Sequence, residues 1–194
     1  MTHRSLFAIG VFVLALALPV AASAQRNGGI DVPAVPSNLT VEEGNEPYLQ
    51  TRAYGTQNYF CLPSGAWKLF GPQATLYPGN VPFQIATHFL SPNPEEPGTP
   101  ARATWQHSHD GSAVWAIKTA ESSDYAVAGA IPWFLLKKAG TIEGTIGGGL
   151  LAQTTFIQRV NTLGGLAPAG TCTPGAIALV PYETDYIFYR AEKQ

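Results

Sequence analysis

Charge is scarce in this chain. Asp, Glu, Lys and Arg make up 12% of its 194 residues, and the formal net charge at pH 7 is −2. A nucleic-acid partner calls for a clustered basic patch. The nearest approach is Lys137-Lys138, which reads as a solvated strand end. Helical signal is scarce as well: beyond residue 24 no segment keeps an apolar i, i+3, i+4, i+7 stripe over a normal helix length. The nucleophile elbow G-x-S-x-G does not occur near any histidine. Cysteine is limited to Cys61 and Cys172.

What is present begins with the compartment. His3 and Arg4 form a short basic start, Leu6 to Ala22 is apolar, and Ala22-Ser23-Ala24 is a small-residue cleavage site. That layout predicts a secretory signal peptide over residues 1–24, with cleavage before Gln25. Pro19 and the short apolar core argue against a retained span of about 20 residues. No cysteine follows the cleavage site, so a lipid anchor is not expected. In an exported chain an even cysteine count reads as a disulfide, here Cys61–Cys172.

Residues 25–37 are polar and punctuated by Gly and Pro, as in an N-terminal arm or linker. Short apolar or alternating runs follow at Leu39–Glu42, Tyr48–Tyr54, Gln57–Leu62, Ala66–Phe70, Ala74–Tyr77, Ile85–Phe89 and Ala103–His107. Further runs are Ala113–Ala120, Trp133–Lys137, Thr154–Thr162, Ile177–Val180 and Thr184–Tyr189. Many are rich in Val, Ile, Thr and aromatics, and 20 Gly and 16 Pro supply turns between them. The expected fold is all-β: one antiparallel sandwich or barrel of many short strands over residues 38–190, with 191–194 as a tail. The proline-rich stretch Ser91–Pro100 cannot lie inside a sheet and reads as an exposed excursion.

Several blocks carry a family resemblance: P-S-N-L at 36–39, Y-F-C at 59–61, A-T-H-F at 86–89, W-x-x-x-x-D-G-S at 105–112 and I-P-W-F-L-L at 131–136. F-I-Q-R-V-N-T-L-G-G-x-A-P at 156–168 and V-P-Y-E-T-D-Y-I-F-Y at 180–189 complete the set. Together they resemble the exported bacterial and fungal proteins grouped as domain of unknown function 3455, over roughly Val35 to Arg190. The resemblance implies a secreted single domain with no established activity. Some fungal members of such families carry a malate dehydrogenase label. A nicotinamide enzyme needs a strand, a G-x-G-x-x-G turn and a helix. The glycine-rich run Gly140–Gly149 lacks that spacing and leads into a β-branched stretch, so an NAD-dependent dehydrogenase is rejected.

The chemistry-bearing residues are few. His107 and His109 share a face if the strand stays extended, and with His88 they make a conceivable zinc set. Asp110-Gly111 is the strongest hairpin signal in the chain, however. It puts His109 at the turn and leaves no metal site expected. The hairpin pairs Ala103–His107 with Ala113–Ala120, with Trp105 and Trp115 close across the ladder. His88, in an apolar run, is either a general base paired with Asp110, Asp185 or Glu183, or a buried histidine satisfied by a backbone carbonyl. We favour the second. In Thr154–Thr162 both faces mix polar and apolar residues, with Ile157, Arg159 and Asn161 on one and Phe156, Gln158, Val160 and Thr162 on the other. A buried Arg159 needs a carboxylate, Asp185 first and Asp110 second. It serves as a clamp between strands or as an anion binder in a barrel mouth.

Most of the aromatics (Trp67, Trp105, Trp115, Trp133, Tyr182, Tyr186, Phe188, Tyr189) are expected in the core. Asn38-Leu39-Thr40 fits a glycosylation acceptor. The expected function is a secreted or periplasmic, non-enzymatic domain that binds a small ligand or a cell-surface component, without cofactor or nucleic acid. Its candidate ligand-binding residues are His88, Trp105, Asp110, Arg159 and Asp185. The competing reading is a small exported enzyme, hydrolase- or isomerase-like, around His88, Asp110 and Arg159.

Overall fold

The computed structural model describes residues 25–27, 30–79, 81–146 and 148–193; the expected signal peptide, 1–24, lies outside them. The fold is all-β and is a closed barrel. After a two-stranded ribbon, β1 (Gln25–Asn27) and β2 (Ile30–Val32), one turn of 3-10 helix spans Ser37–Leu39. The barrel strands are β3 (Asn45–Cys61), β4 (Trp67–Pro78), β5 (Ala86–Ser91), β6 (Arg102–His107), β7 (Ala113–Ser122), β8 (Trp133–Ile142), β9 (Thr154–Gly164) and β10 (Ile177–Ala191). Each pairs antiparallel with its sequence neighbour, and β10 closes the ring on β3. Eight strands leave an interior that side chains nearly fill, with room for at most one small ligand.

Three strands are longer than the expected runs. Tyr48–Tyr54 and Gln57–Leu62 fuse into β3, Ala66–Phe70 and Ala74–Tyr77 into β4, and Ile177–Val180 and Thr184–Tyr189 into β10. The glycines and prolines that look like breaks sit inside continuous ladders: Gly55 opposite Tyr182, Pro72 opposite Gln57, and Pro181 opposite Thr56. Leu39–Glu42 is not a strand. Leu39 ends the 3-10 turn and is fully buried.

Alternation sorts the barrel strands into two cores. The inner one contains Ala53, Leu76, Trp105, Val114, Leu136, Ile157, Tyr186 and Phe188. The outer one contains Trp133, Leu135, Phe156, Val160, Ile187 and Tyr189, and it is covered by the N-terminal segment through Ile30, Val32, Val35, Leu39 and Val41. This explains the mixed faces of β9: as far as Val160 one faces the lumen and the other a lid of chain, and only from Asn161 does the strand meet water. Gln158 belongs to the lidded face, donating to the Leu39 carbonyl at 2.7 Å and accepting from the Tyr189 hydroxyl at 2.7 Å. The 25–37 segment expected as an arm therefore includes part of this covering layer.

One local expectation is refined and another corrected. The Pro-rich stretch after β5 is mostly exposed, as expected, but it is anchored to β8. Asn93 is buried and donates to the Ala139 carbonyl at 3.2 Å, and Glu95 accepts from the Thr141 amide at 2.7 Å. The loop is thereby fastened to the backbone of β8, and the buried Trp115 donates from its indole to Ser91 Oγ, at the end of β5, at 2.9 Å. The β6–β7 hairpin forms as expected, with Gly111 at φ +79°, where glycine is favoured. Its register sets Trp105 opposite Val114 and Thr104 opposite Trp115, so the two tryptophans lie on opposite faces. Cys61 and Cys172 are bonded, with Cα atoms 5.8 Å apart, which ties the end of β3 to the loop before β10.

Candidate functional site

The site is assembled inside the barrel by strand register. His88 on β5 lies directly opposite Trp105 on β6, so both side chains enter the lumen. Their rings stack at 4.1 Å, 10° from parallel. Tyr186 of β10 meets both edge-on, with centroids 5.2 Å away. On β9, Arg159 pairs with Phe134 on one side and Tyr186 on the other, which brings the guanidinium into the same space.

His88 is buried. Its Nδ1 lies 2.9 Å from the Thr104 carbonyl, which can only accept, so Nδ1 carries the proton and Nε2 is an acceptor. Burial pushes its pKa down to about 3, the Thr104 carbonyl opposing and Arg159 adding to the shift. The ring is thus neutral across the physiological range, far from the pKa a general base needs. Its expected carboxylate partners are elsewhere.

Arg159 is 8% exposed, yet the expected ion pair with Asp185 or Asp110 is absent. The reason is parity. Arg159 points into the lumen, whereas Asp185 lies opposite Val160 and projects from the other face of β10. There Asp185 accepts from Arg52 at 3.2 Å and from Asn161 at 2.8 Å, holding the β9–β10 bulge at which Asn161 adopts φ 52°. Arg159 instead donates from Nη2 to the Pro132 carbonyl at 2.7 Å and lies 3.6 Å above the Phe134 ring. Burial pulls its pKa below the ordinary value, against the opposing effect of Tyr186, Tyr182 and Tyr59. Among the described residues its Nε–H has no hydrogen-bond partner, and neither has the indole N–H of Trp105.

Asp110 belongs to a different place. It accepts from the backbone amide of Ser112 at 2.7 Å, that of Leu150 at 3.0 Å and the His107 ring at 2.8 Å. Burial alone would raise its pKa, but Ser112, the Leu150 amide and His107 hold the carboxyl well below the usual range. Ser112 Oγ in turn accepts from the Leu151 amide at 3.1 Å. Together they fasten the hairpin turn to the β8–β9 loop, and the fully buried Leu151 plugs that end of the barrel. His109 is exposed, and among the described residues no three His, Cys, Asp or Glu side chains are grouped to hold a metal.

Toward the opposite end lies a cavity of 260 Å³, lined by Gln57, His88, Trp105, Phe134, Arg159 and Tyr186 together with aliphatic side chains and with Arg102 and Lys118, which are ion-paired to Glu96 and Glu121. It shares Pro72, His88, Leu90 and Ala101 with an outer groove of 770 Å³. The groove exists because β4 and β5 pair only over Ala74–Leu76 and Ala86–His88, then diverge. Leu90 fills the seam against Gly71, where an added Cβ would fall 2.7 Å from its Cγ. Of the five expected ligand-binding residues, His88, Trp105 and Arg159 come together here and Asp110 and Asp185 do not. Gln57 and Phe134 were not among them. For Phe134 a signal exists in Trp133-Phe-Leu-Leu136, which is apolar on both faces, as a strand between two cores requires.

A family model described as a protein of unknown function, DUF3455, matches residues 42–190. No curated protein and no solved structure matches the chain.

Proposed function

This chain belongs to the DUF3455 family, and from that premise we propose that it is a binding protein that takes one small ligand into the barrel. The observation that carries the reading is the 260 Å³ cavity, walled mainly by apolar and aromatic side chains with a few inward polar groups, beside an open groove. That is the make-up of a small-molecule site. A hydrolase- or isomerase-like centre on His88, Asp110 and Arg159 has less support. His88 is neutral and bound to a backbone carbonyl, and Asp110 is engaged at the far end. The disulfide fits an oxidising compartment, so we place the protein outside the cytoplasm, secreted or periplasmic. Among the described residues no helix is long and apolar enough to cross a membrane.

The test uses the uncharged fluorophore N-phenyl-1-naphthylamine. One molecule per chain should bind with enhanced emission, and Ala116→Phe, which fills the cavity wall, should abolish it. Absence of binding, or binding unchanged in Ala116→Phe, would sink the proposal.

A further inference from the structure

Resting on the binding reading above, the donors inside the barrel identify the chemistry of the ligand. A buried guanidinium is ordinarily matched by a carboxylate, because an uncompensated buried charge costs several kcal/mol. Among the described residues Arg159 has no carboxylate within ion-pair distance. Its contacts are the Pro132 carbonyl, the face of Phe134 and the Tyr186 hydroxyl. Tyr59, Tyr182 and Tyr186 do not neutralise it, since burial raises the pKa of each and keeps the phenols protonated. His88 carries no charge either. The lumen therefore holds one unbalanced positive charge.

It also holds two vacant donors. Arg159 Nε–H and Trp105 Nε1–H are buried and unpartnered, and both residues line the 260 Å³ cavity. Trp133 Nε1 is unpartnered too, but it lies in the outer core and does not line the cavity. What distinguishes the lumen is the coincidence of a net charge, vacant donors and space. One cation calls for a monoanion, because a dianion would leave the excess reversed. Arg102 and Lys118 at the rim already have carboxylate partners, Glu96 and Glu121, and the rest of the wall, with Leu69, Leu90, Ala116, Phe134 and Leu136, calls for an apolar body.

We propose that the cavity takes an amphipathic monocarboxylate, with the carboxylate accepting from Arg159 Nε–H and Trp105 Nε1–H and the apolar body lying against Phe134, Leu136 and Ala116. Leu69 and Leu90, 49% and 40% exposed, line the cavity and allow a longer apolar end to leave toward the groove. Binding adds the counterion that Arg159 does not find among the described residues.

The experiment compares 2-naphthoate with its uncharged counterpart 2-naphthalenemethanol on the whole ¹⁵N-labelled protein. Affinity is read by calorimetry, and the site by the Trp105 Nε1–H and Arg159 Nε–H resonances. We expect the carboxylate to bind at least tenfold tighter, a difference of about 1.4 kcal/mol, and to shift both resonances. Arg159→Met should erase the preference while leaving the alcohol bound. If that variant does not fold, Trp105→Phe and the wild-type resonances carry the test, and Trp105→Phe should reduce the preference severalfold. Equal affinity for the two probes would overturn the carboxylate and leave the binding function standing. Acetate binding as tightly as 2-naphthoate would do the same, showing an anion site that makes no use of the apolar wall. Failure of both naphthalenes to bind, or shifts confined to Trp133, would overturn both proposals.

Discussion

Removing the Cys61–Cys172 bond should lower stability by several kcal/mol, mainly through the unfolded chain. The bond links residues 111 positions apart. In the chain-entropy relation a loop of that size restricts the unfolded ensemble by about 16 cal/mol/K, or about 4.8 kcal/mol at 25 °C. The folded state should lose little on reduction, because backbone hydrogen bonds already hold both ends. Cys61 N–H donates to the Ala176 carbonyl at 2.8 Å, Gly175 N–H to the Cys61 carbonyl at 3.0 Å, and Cys172 N–H to the Gly65 carbonyl at 2.9 Å. For a domain of this size about 1 kcal/mol corresponds to roughly 2–4 °C, so the melting temperature should fall by about 10–20 °C. The measurement is calorimetry of the oxidised protein against Cys61→Ala/Cys172→Ala, with urea titrations alongside. An unfolded chain freed of its cross-link exposes more surface, so the urea m-value should rise in the double variant. A melting temperature within about 3 °C of the oxidised protein's, with an unchanged m-value, would refute the reasoning.

Asp110→Ala strips the acceptor from two backbone amides and His107, and should cost about 3–5 kcal/mol in urea unfolding at pH 7. Since the folded carboxyl titrates below its unfolded value, its contribution is complete above about pH 4 and fades in stronger acid, which a pH series of the same titrations checks. His88 titrates at about 3 when folded, so its contribution is complete above the unfolded value of about 6.5 and is lost as the pH falls toward 3. Between pH 6 and 4 the wild type should lose up to about 1.4 kcal/mol per pH unit more than His88→Phe; parallel pH profiles would contradict this. Leu39→Ala, under the N-terminal lid, should cost about 2–5 kcal/mol by denaturant titration, whereas a loosely attached segment would lose less than about 1.

The all-β class, the hairpin at Asp110-Gly111 and the disulfide were legible because each rests on local chemistry: alternation, a turn dipeptide and a cysteine count. Strand length was not. Gly55 reads as a break, yet it sits where β4 crosses so near that a Cβ would collide with the Gln73 carbonyl and Ala74. Pro181 reads as a terminator, but Tyr182 is the first β10 residue to pair with β9, so the missing amide costs that ladder nothing. The partner of Arg159 was misjudged because a search for a nearby carboxylate ignores which face each strand turns inward. Asp185 is one residue from Tyr186 in sequence and on the other side of the sheet. The lid over β9 was hidden because Val32, Val35 and Leu39 are spread among prolines with neither strand nor helix periodicity.

Closure of the ring by β10 on β3 also dictates an order of events during folding. That ladder runs from Ile177–Phe60 to Ala191–Asn45, the most distant pairing in the barrel. A growing chain that has not yet presented residue 177 can build the meander from β3 to β9, but only as an open sheet with two raw edges. Such edges are templates for pairing with other chains. Ring formation must wait for the final strand, and contacts of such long sequence separation make folding slow. The partly grown chain is therefore vulnerable to aggregation until its last fifteen barrel residues arrive.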